Sequence, residues 1–77
     1  MDKKMIGKMS DVRLAALEGL LEDKFSYYAS DEEKESLEDL YRTVNDTCLR
    51  RSLDSEYYIE RHFEEYQEAY NEFNQMI

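Results

Sequence analysis

Proline is absent from this 77-residue chain, and glycine occurs only at Gly7 and Gly19. Two glycines cannot build a phosphate-cradling loop. They also leave the acidic runs without the central glycine of an EF-hand. Cys48 is the only cysteine, so no internal disulfide can form; it reads as a small buried apolar residue of a reducing compartment. His62 is the only histidine, and with Cys48 it makes no zinc-ligand spacing. The Glu-x-x-His pair of di-iron bundles fails because residue 59 is Ile. The expectation is a protein with no cofactor, no metal and no enzymatic activity, since so small a fold leaves little room for a pocket.

Long apolar runs are missing too. None approaches the roughly 18 residues of a membrane span. The first nine residues carry bases but no apolar stretch of the signal-peptide kind. These absences point to a cytoplasmic protein that does not enter membranes. Bases are scarce: ten Lys and Arg face 19 Asp and Glu, a net charge of −9. Phosphates repel such a chain, so direct nucleic-acid binding and anionic membrane surfaces are disfavoured. A basic protein surface would attract it.

What the chain does have is helical periodicity without two-residue alternation, so the class is all-α. A chain of this length makes one domain, and its core rarely supplies more than about 3–5 kcal/mol. Residues 1–9, with Lys3, Lys4 and Lys8, read as a flexible basic arm. Residues 10–77 read as a single helical domain. The first helix is expected over about 11–28, with Ser10 as N-cap and one stripe of Leu14, Leu17, Leu21, Phe25 and Tyr28. Val12, Ala16, Leu20 and Tyr27 lie nearly opposite. They are either a patch for a second copy or a partner, or the far side of a helix in the middle of a flat layer.

A second helix is expected over 31–51, opened by the capping box Ser30–Glu33 and striped by Leu37, Leu40, Tyr41, Val44 and Cys48. Ser52-Leu53-Asp54-Ser55 reads as a break. A third helix over 55–75 carries Ile59, Phe63, Tyr66, Tyr70, Phe73 and Ile77 at 4-3-4-3-4 spacing, a heptad seam suited to antiparallel packing. The architecture expected is a compact antiparallel three-helix bundle. The alternative is a helical hairpin with one long bent helix over 31–77.

The third helix also bears Glu56, Glu60, Glu64, Glu68 and Glu72, each four residues from the next. Like charges at that spacing cost an isolated helix about 0.2–0.5 kcal/mol per pair, or about 1–2 kcal/mol for four pairs. Glu65 and Tyr57 lie on the same half, and the second helix has a shorter row, Asp31, Glu35 and Asp39. Residues 52–77 hold seven acids and one base. Four residues of helix rise about 6 Å, comparable with the roughly 7 Å between phosphates along a DNA strand. Glu56 to Glu72 spans about 24 Å, over which duplex DNA carries about 14 charges. Five carboxylates therefore imitate a backbone only with the second row, or a second copy, beside them.

The partner expected is a basic protein, in the concrete case a nucleic-acid-binding protein whose basic surface this chain occupies as a DNA-mimic-like inhibitor. The alternative is a small dimeric scaffold or regulator using the patch on the first helix. In size, acidity, helical pattern and its seven tyrosines the chain resembles the accessory proteins that phages and mobile elements make against host factors. That likeness is one of composition and involves no motif.

Overall fold

Side chains mark where four of the helices begin. Asp2 accepts from the Met5 amide, Ser10 from Arg13, Ser30 from Glu33 and Asp54 from Glu56, so each cap satisfies an amide the helix leaves orphaned. The computed structural model describes residues 2–77, and among these it is all-α. The helices are α1 (Lys3–Lys8), α2 (Asp11–Asp23), α3 (Asp31–Arg50), α4 (Ser55–Arg61) and α5 (Phe63–Met76). A π-helical turn over Lys24–Tyr28 extends α2 and closes on a bond from the Ala29 amide to the Lys24 carbonyl.

The basic arm is not a frayed tail. Residues 3–8 are helical, and Ile6 is 1% exposed in the common core. Two forces dock α1: burial of Ile6 and the guanidinium of Arg51. Arg51 donates to the carbonyls of Met9 (2.7 Å) and Gly7 (2.8 Å) and to Asp11 Oδ1 (2.9 Å). Carbonyls at the end of α1, which the helix itself cannot satisfy, are thus bonded by a residue 40 or more positions away.

α2 and α3 form an antiparallel pair. Phe25 meets Tyr41 edge-on at 4.9 Å near one end, and Arg51 meets Asp11 at the other. α2 also packs against α4 and α5, so it is covered on more than one side. Leu14, Ala15, Ala16, Leu17, Leu20 and Leu21 are all buried. The proposed patch on the first helix is therefore not a surface. Ala16 and Leu20 lie in the core, Val12 is partly buried against it, and only Tyr27 is exposed. The two-sided apolar pattern belongs to a central helix, and the dimeric reading built on that patch loses its ground.

α3 stops at a Schellman-type end. The Leu53 amide donates to the Cys48 carbonyl and the Ser52 amide to Leu49, with Ser52 left-handed at φ 53°. This turn rules out a continuous helix from residue 31 onward. A second interruption follows at His62, where φ −132° and ψ 42° leave the helical region. The expected third helix is therefore two, and its heptad seam is only half core. Tyr66 and Phe73 are buried and Tyr70 and Ile77 are partly buried against the core, whereas Ile59 and Phe63 are 40% and 56% exposed.

Nor does α5 run alongside α2. One edge of α5, with Glu65, Glu68 and Glu72, borders Ser10, Val12 and Arg13 at the start of α2. Its other edge reaches the far end, where the Tyr66 hydroxyl lies over Gly19 and Tyr70 donates to Asp23 Oδ2 at 2.6 Å. Residues a turn apart on α5 thus reach opposite ends of α2, so the helices cross. An added Cβ on Gly19 would run into the Tyr66 hydroxyl; the glycine makes the crossing possible. Among the described residues the arrangement is five helices, with α3, α4 and α5 packed on α2 and α1 packed on α3, instead of three lying antiparallel.

Candidate protein-binding surface

Every carboxylate of the two rows reaches the surface. Glu56 and Glu60 are exposed on α4, Glu64, Glu65, Glu68 and Glu72 on α5, and Asp31, Glu35 and Asp39 on α3. The break at His62 divides the five-glutamate row into a pair and a triple. Glu60 and Glu64 no longer share a helix, so three like-charged pairs remain in regular i,i+4 geometry: Glu56–Glu60, Glu64–Glu68 and Glu68–Glu72.

Glu72 is partly spent inside the molecule. Arg13 grips it with two nitrogens, at 3.1 and 3.3 Å, while the guanidinium lies 4.8 Å above the Phe73 ring. That hydrogen-bonded cation holds the Glu72 carboxyl below the usual range. Glu65 comes within 4.0 Å of His62 Nδ1. The other ion pairs among the described residues, Arg42–Glu38 and Arg51–Asp11, lie elsewhere. Glu56, Glu60, Glu64, Glu68, Asp31, Glu35 and Asp39 form none.

Tyr57 stands beside Glu56 on α4, about half exposed, with its ring edge-on to Tyr58 at 5.1 Å. Tyr58 turns inward and donates to Asp11 Oδ2 at 3.2 Å. Lost hydration and that bond raise its phenol above the ordinary value. Ile59 and Phe63, assigned to the seam, instead lie exposed near Glu60 and Glu64. Both flank the break, Ile59 near the end of α4 and Phe63 at the first residue of α5. No proline or glycine announces that break, so the sequence gives no local sign of it.

The structure does not lay the two rows side by side along their length. The α3 row ends at Asp39, on a groove closed by Met76 and Ile77 beyond Glu72. α4, with Glu56 and Glu60, packs on α2 and α5. A third acidic strip, unanticipated, lies on α2 between α3 and α5. Glu18 accepts from the Ser55 hydroxyl at 3.3 Å. Partial desolvation, then Glu18 and Asp23, raises the carboxyl of Glu22, whose side chain still reaches the surface. Desolvation with Glu22 and Glu18 raises the phenol of Tyr41, and desolvation with Asp23, Glu22 and Glu18 raises that of Tyr66. Desolvation, reinforced by Glu18, pushes the Cys48 thiol up to about 12, so that sulfur stays protonated and unreactive.

No group of three or more His, Cys, Asp and Glu is arranged to hold a metal ion among the described residues. No helix there is long and apolar enough to cross a membrane. Compared with protein-family models, curated proteins and solved structures, the chain matches none. The functional reading therefore stands on the surface alone.

Proposed function

We propose that this protein is a small acidic regulator that binds a basic protein, in its concrete form an inhibitor seated on the basic surface of a nucleic-acid-binding protein. One observation carries the reading: Glu56 and Glu60 on α4 and Glu64 and Glu68 on α5 are exposed, and no base among the described residues forms an ion pair with them. A locally costly charge pattern with no internal compensation is the kind that function retains. Tyr57, Ile59 and Phe63 lie exposed amid these carboxylates and supply the aromatic and apolar anchors that protein interfaces favour. DNA-like charge density requires more than the four unpaired glutamates. Asp31, Glu35 and Asp39 are exposed on α3 and form no ion pair among the described residues, but they do not lie beside that row, so the reading is occupation of a basic surface and not a copy of duplex charge density.

The test is the triple variant Glu60→Gln, Glu64→Gln, Glu68→Gln. It relieves the three remaining repulsive pairs and raises stability by about 0.6–1.5 kcal/mol. In affinity capture from lysate, with and without competing DNA, the parent protein retains a basic partner and the variant loses it. A variant that still binds that partner at moderate salt would falsify the reading.

A further inference from the structure

A groove of about 680 Å³ opens between α1, α3 and the end of α5. Its floor is Ile6, Leu37, Leu40 and Ile77, and its lips are Met5 and Met76. The two methionines are 53% and 61% exposed. Unbranched thioether side chains adapt to varied partners, which is why methionine recurs on helix-binding surfaces. The row Asp31, Glu35, Asp39 leads along α3 to the groove; Asp39 alone of the three lines it, and Lys3 of α1 lines the same groove. None of the three acids forms an ion pair among the described residues.

We propose that this groove takes the apolar face of an amphipathic basic helix of the partner protein. Its Lys or Arg residues then meet Asp39, Glu35 and Asp31. Helix-in-groove recognition uses apolar anchors about one and two turns apart. The carboxylate row covers the same length, about 12 Å by helix rise. Charge decides the class of occupant. A fatty acid would bring a further anion to a molecule of net charge −9. A second copy would bring nine more negative charges against the same row. A cationic helix gains from the apolar floor, from Asp39 with the row that leads to it, and from the net charge of the molecule, against the single base Lys3. The proposal rests on the reading that the partner is basic, but it uses a different surface from Glu60, Glu64 and Glu68, so the two can fail separately.

The probe is a labelled Leu/Lys amphipathic peptide of about 14 residues, roughly four helical turns, with its Leu/Glu counterpart as control. Anisotropy titrations are run on the parent chain, on Met5→Gln/Met76→Gln, on Asp39→Asn, and on the Glu60/Glu64/Glu68 triple Gln variant. Both methionines are exposed, so the double variant keeps its fold, which circular dichroism checks. The Leu/Lys peptide binds the parent. Its Kd rises about tenfold, 1.4 kcal/mol, in the double methionine variant, and about threefold in Asp39→Asn. The triple variant binds it as the parent does, and the Leu/Glu peptide does not bind. Equal affinity for the methionine variant overturns the proposal, as does equal binding of the Leu/Glu peptide. Sedimentation showing a parent dimer that Met5→Gln/Met76→Gln dissociates would also overturn it, because a second copy would then hold the groove. If the triple variant retains the cellular partner while the methionine variant loses the peptide, the glutamate row fails and the groove stands.

Discussion

Replacing Gly19 with alanine sets two effects of opposite sign against each other. Alanine is the better helix former, by about 1 kcal/mol in a helix interior. At Gly19, though, the new Cβ meets the Tyr66 hydroxyl far inside van der Waals contact, with the ring carbon Cζ at 3.4 Å behind it. The ring has little room to swing aside, since Tyr66 is 9% exposed and stacks with Tyr70 at 6.3 Å. Overpacking of this kind costs about 1–3 kcal/mol, so Gly19→Ala alone should destabilise by about 0–2 kcal/mol. Removing the hydroxyl reverses the sign. In a Tyr66→Phe background the closest remaining atom is Cζ at an ordinary contact distance, and Gly19→Ala then stabilises by about 0.5–1 kcal/mol. One kcal/mol moves the Tm of a domain this size by about 4–8 °C. Thermal melts of the four proteins of this double-mutant cycle, followed by circular dichroism, read the coupling directly. If Gly19→Ala raises Tm equally in both backgrounds, α5 does not cross α2 at Gly19.

Three further outcomes follow from single contacts. Ser52→Gly removes the left-handed strain of a side chain at φ 53° and should stabilise by up to about 1 kcal/mol after the glycine entropy cost; a lower urea midpoint would contradict the turn geometry. Arg51→Lys keeps the charge but loses the fork that reaches Gly7, Met9 and Asp11 together. It should cost about 1.5–3 kcal/mol, and amide exchange in α1 should accelerate more than in α3. Glu72 has a folded pKa below its ordinary 4.5. Its contribution is present above that value and fades as pH falls through the lower folded one. Melts from pH 7 to pH 3 should show the parent above Glu72→Gln at neutral pH and the gap closing in acid; a gap independent of pH would show that charge plays no part.

The helix starts at Asp11, Asp31 and Ser55 were legible because caps are local chemistry, whereas those of α1 and α5 were not. Ser10 and Ser30 sit where an orphan amide needs an acceptor, and the α3 end at Arg50 falls one residue from its expected place. The exposure of Glu56, Glu60, Glu64, Glu68 and the α3 row could likewise be read from charge, since burying an unpaired carboxylate is costly. What the sequence could not supply were consequences of packing. His62 offers no breaker signal, and the unbroken 4-3-4-3-4 seam argues for one helix. Only the competing anchors reveal two: Tyr58 bonded to Asp11 on α4, and Tyr66 over Gly19 on α5. The apolar residues around α2 were seen, but whether their second side faced a partner or the chain's own α5 depended on a crossing set by Gly19. Met5 and Met76, at opposite ends of the chain, meet only in three dimensions.

The six residues of α1 are too few to be helical by themselves, so this segment opens locally whenever Ile6 and the Arg51 bonds let go. Each such opening removes Lys3, Met5 and Ile6 from one wall of the groove. Closure of α1 and occupancy of the groove are therefore thermodynamically linked. An occupant present at about 100 times its Kd would suppress the opening by about 2.7 kcal/mol, slowing amide exchange in α1 about a hundredfold without touching those amides. Conversely, Arg51 sets affinity from a distance. It lies outside the groove, yet it determines what fraction of molecules possess one.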